Sequence, residues 1–157
     1  MDHLWAPWRI EYILSEKPDV CILCEKPKEQ KDKENLILYR GKKNFVIMNR
    51  YPYNPGHLMI CPYRHTSTLE DLDPDEILEH YQIVQKCITT LRRVSNPEGF
   101  NIGMNMGKVA GAGIDEHIHT HIVPRWNGDT NVMHVLADTR VVPEALAVTY
   151  DKLIGEI

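Results

Sequence analysis

The run His117-Ile118-His119-Thr120-His121-Ile122-Val123 constrains this chain more than any other stretch. Alternation along a β-strand sends residues i, i+2 and i+4 to one face, so three imidazoles line up about 6.5–7 Å apart, within reach of one phosphate group. Ile118, Thr120 and Ile122 take the opposite face, where they can pack. Three of the eight histidines within five residues do not read as core filling, because each neutral imidazole packed there needs a hydrogen-bond partner. Two chemistries suit the row. A His-x-His pair on a twisted strand can share a zinc ion through neutral ring nitrogens. Alternatively, one imidazole attacks phosphorus while its neighbours hold its tautomer and donate hydrogen bonds to the developing negative charge. The strand alone leaves both open.

Around this run the local patterns predict strands at Leu36 to Tyr39, Phe45 to Met48, Leu58 to Cys61 and Phe100 to Asn105. Gly41-Lys42-Lys43-Asn44 is turn chemistry between the first two, and an antiparallel meander follows. Asp73 with Pro74 at the first helical position and Glu76 at N3 opens a helix through Ile77, Tyr81, Val84, Ile88 and Leu91. Asn96-Pro97-Glu98-Gly99 closes it. Weaker patterns place a short helix at Trp8 to Leu14, a strand at Val132 to Leu136 and a helix at about Pro143 to Ile154. Residues 25–35 read as a mobile charged loop. Gly107-Lys108-Val109-Ala110-Gly111-Ala112-Gly113 connects the last two strands of the sheet, and its glycines leave backbone N–H groups free to approach phosphate oxygens.

A chain of 157 residues, 43% apolar, suits one domain with one core. No apolar run approaches the roughly 20 residues of a membrane span, and the N-terminus has no signal-peptide core. A soluble cytoplasmic protein is expected, without membrane association. The net charge of −4 argues against nucleic acid as a partner, so a polyanionic ligand has to be held by local groups, with Arg50, Arg64, Lys108 and Arg125 as candidates. Cys61 and Cys87 lie in apolar stretches and read as core thiols. Cys21-Ile22-Leu23-Cys24 is different: a C-x-x-C pair near a loop can be a zinc knuckle or a redox pair, and no thioredoxin-like βαβ setting surrounds it.

The segment Asn49-Arg50-Tyr51-Pro52-Tyr53-Asn54-Pro55-Gly56-His57-Leu58-Met59-Ile60-Cys61-Pro62, then the helix, Asn105, the glycine-rich loop and the His-x-His-x-His run, closely resembles the histidine triad (HIT) superfamily of nucleotide hydrolases and transferases. The resemblance covers residues 36 to 126 with the elements in order. Leu4-Trp5-Ala6-Pro7-Trp8-Arg9 and Val123-Pro124-Arg125-Trp126-Asn127-Gly128-Asp129 look most like the branch of diadenosine tetraphosphate phosphorylases and Fhit-like dinucleoside polyphosphate hydrolases. The fold implied is α+β: a five-stranded antiparallel sheet, a long packed helix and a C-terminal helix. Residues 1–35 form an arm carrying the CxxC pair, 36–126 the catalytic core, and 127–157 an extension of the same domain. HIT proteins pair as homodimers, and Trp5, Trp8 and Trp126 read as exposed surface such pairing would cover.

The resemblance also implies roles. His119 becomes the nucleophile, which attacks the α-phosphorus of a nucleoside polyphosphate or phosphoramidate to give a covalent nucleotidyl-histidine. His121 hydrogen-bonds the phosphoryl and leaving oxygens, His117 completes the triad, and His57 supports it from the adjacent strand. Asn49 binds ribose hydroxyls. Asn105 matches the polar residue preceding the phosphate loop, and Gly111, Ala112 and Gly113 lie in that loop; Fhit-like hydrolases carry glutamine in and near it, and the phosphorylases a small or hydroxyl residue near Gly113, which offers no hydroxyl. Cys21, Cys24, His65 and His117 match the ligands of a structural zinc, a closed tetrahedral set with no open catalytic position. The function implied is asymmetric cleavage of dinucleoside polyphosphates, with a slight lean to phosphate over water as acceptor. Two other readings compete. One is a nucleotide-binding or sensing protein, or a purine nucleoside phosphoramidase, with incidental turnover. The other is a zinc hydrolase that uses His117, His119 and His121 as ligands.

Overall fold

The computed structural model describes residues 20–129 and 144–157. Strands β1 (Ile37–Arg40), β2 (Asn44–Met48), β3 (Leu58–Pro62), β4 (Gly99–Met104) and β5 (Thr120–Arg125) form one antiparallel sheet in the order β1-β2-β3-β5-β4. Short helices α1 (Ile22–Glu25) and α2 (Asp32–Asn35) precede the sheet, α3 (Pro74–Ser95) separates β3 from β4, and α4 (Leu146–Leu153) stands at the C-terminal end. This is the expected α+β architecture. The readings at Trp5, at Trp8 to Leu14 and at Val132 to Leu136 lie outside the described residues.

Helix α3 starts as its sequence dictates. Asp73 and Glu76 form a capping box, with the Glu76 carboxylate accepting the Asp73 N–H at 2.8 Å. Asn96, in the left-handed region at φ 45°, ends it. The Asn44 side chain donates to the Glu76 carbonyl at 3.1 Å, so even-numbered β2 residues face α3. Cross-strand pairing then places Val46, Met48, Leu58, Ile60 and Ile122 on that side, and all are buried in one cluster with Ile83, Val84, Cys87 and Leu91. Each such aliphatic contributes about 1.5–3 kcal/mol on burial. The opposite face, carrying Ile47, Met59 and His121, is left for the site.

A buried polar cluster of Asn44, His80 and Thr120 interrupts this core. His80 of α3 is buried, with its Nδ1–H donating to Asn44 Oδ1 at 2.8 Å and its Nε2 accepting from the Thr120 hydroxyl at 2.7 Å. The Asn44 amide is itself spent on donating to Glu76 and Glu79, which fixes the His80 tautomer. Burial pulls His80 down to about 4. The unfolded chain takes up this proton near 6.5 and the folded chain does not, so stability is complete above pH 6.5 and falls as pH drops toward 4, by up to about 3 kcal/mol. His80→Gln, which cannot titrate, should flatten the decline of melting temperature across that window; an unaltered slope would reject this role.

Three expectations change. Residues 25–35 are not a loose loop: α1, a 3₁₀ turn at Lys26–Glu29 and α2 follow in succession. Arg40 clamps the segment by donating to both Asp32 oxygens and to the Pro27 carbonyl, contacts that local charge patterning cannot reveal. The histidine strand begins at Thr120, not His117. Continuing its register would set Pro62 opposite Ile118; Pro62 has no N–H for the Ile118 carbonyl, its own carbonyl accepts from His117 Nε2–H, and the Ile118 N–H donates to the Thr66 carbonyl at 2.7 Å. Trp126 is half-buried, its indole N–H donating to the Ser95 carbonyl at 3.3 Å, so it is not the bare surface expected.

Candidate active site

His57 enters β3 from the turn Pro52-Tyr53-Asn54-Pro55-Gly56. Gly56 takes φ +76°, where a side chain is strained, and a Cβ there would also stand 3.1 Å from Leu91. The Asn49 N–H donates to the His57 carbonyl at 3.0 Å and closes the turn. Asn49 Oδ1 accepts the Tyr51 N–H at 2.9 Å, so this side chain shapes the turn as well as facing the cleft. Asn54 is buried and ties the turn to the end of β5, donating to the Pro124 carbonyl at 2.9 Å and to Asp129 at 2.8 Å.

Hydrogen bonds set the ring tautomers in sequence. The Tyr53 N–H donates to His57 Nδ1 at 3.1 Å, which puts the His57 proton on Nε2. That Nε2–H donates to His121 Nδ1 at 2.9 Å, so His121 carries its own proton on Nε2. His119 Nδ1–H donates to the His117 carbonyl at 2.8 Å, leaving a lone pair on His119 Nε2. The His119 and His121 rings meet edge to face at 4.8 Å between centroids. Burial holds His119 below the ordinary histidine range, which keeps it neutral and nucleophilic at pH 7. A proton acceptor and a proton donor thus stand side by side.

His117 leaves the row. Its Nε2–H donates to the Pro62 carbonyl at 2.8 Å, and its Nδ1 lies 3.3 Å from Cys21 Sγ and 3.4 Å from Cys24 Sγ. His65 Nδ1 lies 3.3 Å from Cys24 Sγ. The four ligand atoms of Cys21, Cys24, His65 and His117 all fall within 4.8 Å of one another. Tetrahedral zinc with sulfur at about 2.3 Å and nitrogen at about 2.0–2.1 Å needs S···N edges of about 3.5 Å, so the donor set fits that ion. The carbonyl partner of His117 supplies the outer hydrogen bond such a ligand uses. Burial, then the neighbouring Cys21, push the Cys24 thiol up to about 11, so thiolates here call for a cation. The row of three rings on one phosphate, and the reading of all three as zinc ligands, are both replaced: the rings take three different partners.

His119 and His121 line a cleft of about 790 Å³, open solvent at its mouth included. Ile22 and Leu23 of α1 form part of its apolar wall with Ile47 and Met59, while Asn49, Gly111 and Gly113 line its polar side. Asn105 lies instead along a second groove beyond His121, and Ala112 lines neither hollow. The glycine-rich loop folds into a 3₁₀ turn at Lys108–Ala110. The N–H groups of Ala110, Gly111 and Ala112 donate within it and are not free for phosphate as expected. The basic candidates are committed too. Arg64 pairs with Asp73 and Glu76, Lys108 with Asp115, and Arg125 with Asp129, whose carboxyl the Arg125 guanidinium holds well below the usual range. Arg50 lines the cleft while donating to the Glu34 carbonyl at 3.1 Å.

Sequence reasoning missed Tyr53 and His80. Tyr53 stacks on His57 at 4.8 Å and sets its tautomer through a backbone N–H, which no side-chain pattern signals.

Residues 30–128 match the model of the HIT domain. The chain belongs to the HIT family. This HIT chain is 40% identical over 164 residues to a Mycobacterium tuberculosis protein named AP-4-A phosphorylase, covering 99% of this chain and 84% of that one. It is 33% identical over 93 residues to the asymmetrical bis(5'-nucleosyl)-tetraphosphatase of Schizosaccharomyces pombe, covering 59% of this chain and 50% of that one. Among solved structures, a Zn-bound histidine triad family protein of Mycobacterium smegmatis superposes with a TM-score of 0.69 at 26% identity, covering 87% of this chain and 91% of that one.

Proposed function

We propose that this HIT protein cleaves dinucleoside polyphosphates at an α-phosphorus through a nucleotidyl-His119 intermediate, with inorganic phosphate as the acceptor. The observation that carries the reading is the pair of opposed tautomers, a lone pair on His119 Nε2 beside an N–H on His121 Nε2. A bond forms from His119 Nε2 to the α-phosphorus as the bond from phosphorus to the bridging oxygen breaks. The electron pair leaves with that oxygen, and the His121 Nε2–H donates to it as negative charge develops. A polyphosphate is a stable anion, so a hydrogen bond suffices at the leaving oxygen. A phosphate oxygen then attacks the same phosphorus, the nitrogen–phosphorus bond breaks, and a nucleoside diphosphate departs. Asn49 meets the ribose hydroxyls, and the Gly111 to Gly113 backbone borders the phosphates. The names of both relatives support the substrate class, and the name AP-4-A phosphorylase supports phosphate as the acceptor.

The same reading gives Cys21, Cys24, His65 and His117 a zinc ion, which as a closed four-ligand site supplies anchorage for the arm and no open position for chemistry. The Zn-bound relative supports it. Such thiolates persist in a reducing compartment, which agrees with the cytoplasm; among the described residues no helix is long and apolar enough to cross a membrane. The chain also reads as a homodimer, since the edge strand β4 exposes Asn101, Ile102 and Gly103. Sedimentation showing only monomer at micromolar concentration would remove that element.

Product analysis tests the activity. With diadenosine tetraphosphate, added phosphate should raise turnover and shift the products from ATP plus AMP to ATP plus ADP. A product ratio indifferent to phosphate makes the protein a hydrolase, and no cleavage at all rejects the reading.

A further inference from the structure

The cleft beside His119 has a far end whose chemistry the steps above leave unused. Strand register gives the cleft a direction. His121 pairs with Met59 and Met59 with Ile47, so the floor runs from the triad on β5 across β3 to β2, about 10 Å at a strand spacing of about 4.8 Å. Two cations line the cleft at that end, Lys26 from the turn after α1 and Arg50 from the turn after β2. Both are tied to α2, which leads into the edge strand β1. The Asn35 amide donates to the Lys26 carbonyl at 3.3 Å, and Arg50 donates to the Glu34 carbonyl at 3.1 Å. Lys26 and Arg50 therefore sit on the β1 side of the cleft and the catalytic rings on the β5 side.

The backbone at Lys26 is fixed, since Pro27 beside it is buried and its carbonyl accepts from Arg40 at 2.9 Å. The amine has no such commitment. Among the described residues it makes no hydrogen bond or ion pair, although Lys28 pairs with Glu25 at 2.6 Å, and the Glu29 carboxylate is taken up by the Asn35 amide at 2.9 Å. The Lys26 side chain is half-buried, in a cleft walled by Ile22, Leu23 and Ile47, where a polar group without a partner is costly. No carboxylate lines this cleft among the described residues. Its far end thus offers N–H donors with no anion of the protein to match them.

We propose that Lys26, with Arg50 beside it, reads the base of the nucleotide that becomes attached to His119 and selects guanine over adenine. The inference rests on the nucleotide reading of the cleft, with the α-phosphate at His119 and the ribose at Asn49. A nucleoside laid along that axis carries its base to Lys26. Guanine presents two adjacent acceptors, N7 and O6, and lysine and arginine are the side chains that most often pair with them. Adenine keeps N7 but sets an N6 amino donor where O6 stands, and an ammonium, which offers donors only, has nothing to meet there.

Calorimetry on the full chain tests this with GMP, IMP and AMP, since IMP shares N7 and O6 with GMP and lacks its 2-amino group. Wild type should bind GMP and IMP about 5-fold or more tightly than AMP. Lys26→Met keeps an unbranched apolar stem without the donor and should bring the three affinities within about twofold of one another; Lys26→Arg should retain the preference. An unchanged melting temperature reports intact folding. A mixed adenosine–guanosine tetraphosphate gives a second readout, because attack next to guanosine releases ATP and attack next to adenosine releases GTP, whichever acceptor follows. Wild type should release ATP over GTP by about threefold or more, and Lys26→Met nearly equal amounts. Equal binding of the three nucleotides by wild type, or a guanine preference that survives in Lys26→Met, overturns the assignment. So does a loss of affinity in Lys26→Met shared equally by all three, which puts the amine on phosphate. If the base preference holds and follows Lys26 while no substrate is turned over, the base assignment stands and the catalytic reading fails.

Discussion

His119→Ala should lose turnover by roughly 10⁴-fold or more while binding AMP within about threefold of wild type. The substitution removes the His119 Nε2 lone pair, which stays available because Nδ1–H is committed to the His117 carbonyl. Asn49 and the apolar walls of Ile47, Met59 and Leu23 stay in place, so ground-state binding survives. His121→Ala removes a hydrogen bond to the leaving oxygen rather than the bond-forming atom, and a smaller loss of about 10²–10³-fold follows. Quenching the reaction with acid-free denaturant and radiolabelled substrate reads the nucleotidyl-protein directly. Equal, modest losses for the two variants, with no labelled protein, would sink the covalent mechanism.

Replacing Cys21 or Cys24 by serine should bring bound zinc from about one per chain to near zero and lower the melting temperature by about 10 °C. Breaking a closed four-ligand set costs several kcal/mol, and each kcal/mol moves the midpoint of a chain this size by about 2–4 °C. The kinetic effect should be uneven. Ile22 and Leu23 sit between the two cysteines and line the cleft, so KM rises, whereas kcat at saturation changes less because the cysteines meet the triad through His117 and not through His119 or His121. Elemental analysis of protein grown with added zinc, followed by calorimetric melting, checks both parts. Metal-free wild type with the same melting temperature as the variants would defeat the assignment.

The order of elements was legible in the chain because its causes are local. Asp73, Pro74 and Glu76 cap α3 within one turn, and the short continuous apolar runs Phe45 to Met48 and Leu58 to Cys61 specify β2 and β3 with errors of one residue. The identities of the site residues were legible too, since His57, His119 and His121 do come together and Cys21, Cys24, His65 and His117 do cluster. What the sequence could not decide is what each ring does. Period-2 alternation put His117 in line with its neighbours, yet Pro62, 55 residues away, ends the pairing and its carbonyl accepts a hydrogen bond from His117 Nε2–H, turning Nδ1 of that ring toward Cys21, 96 residues away. The His121 proton sits on Nε2 because His57, 64 residues away, donates to Nδ1, and His57 carries its proton on Nε2 because its Nδ1 accepts a hydrogen bond from the Tyr53 backbone N–H. Strand period and helix caps act over one to four residues and are written in the order of side chains; tautomers and metal geometry arise from contacts that exist only after the sheet has closed.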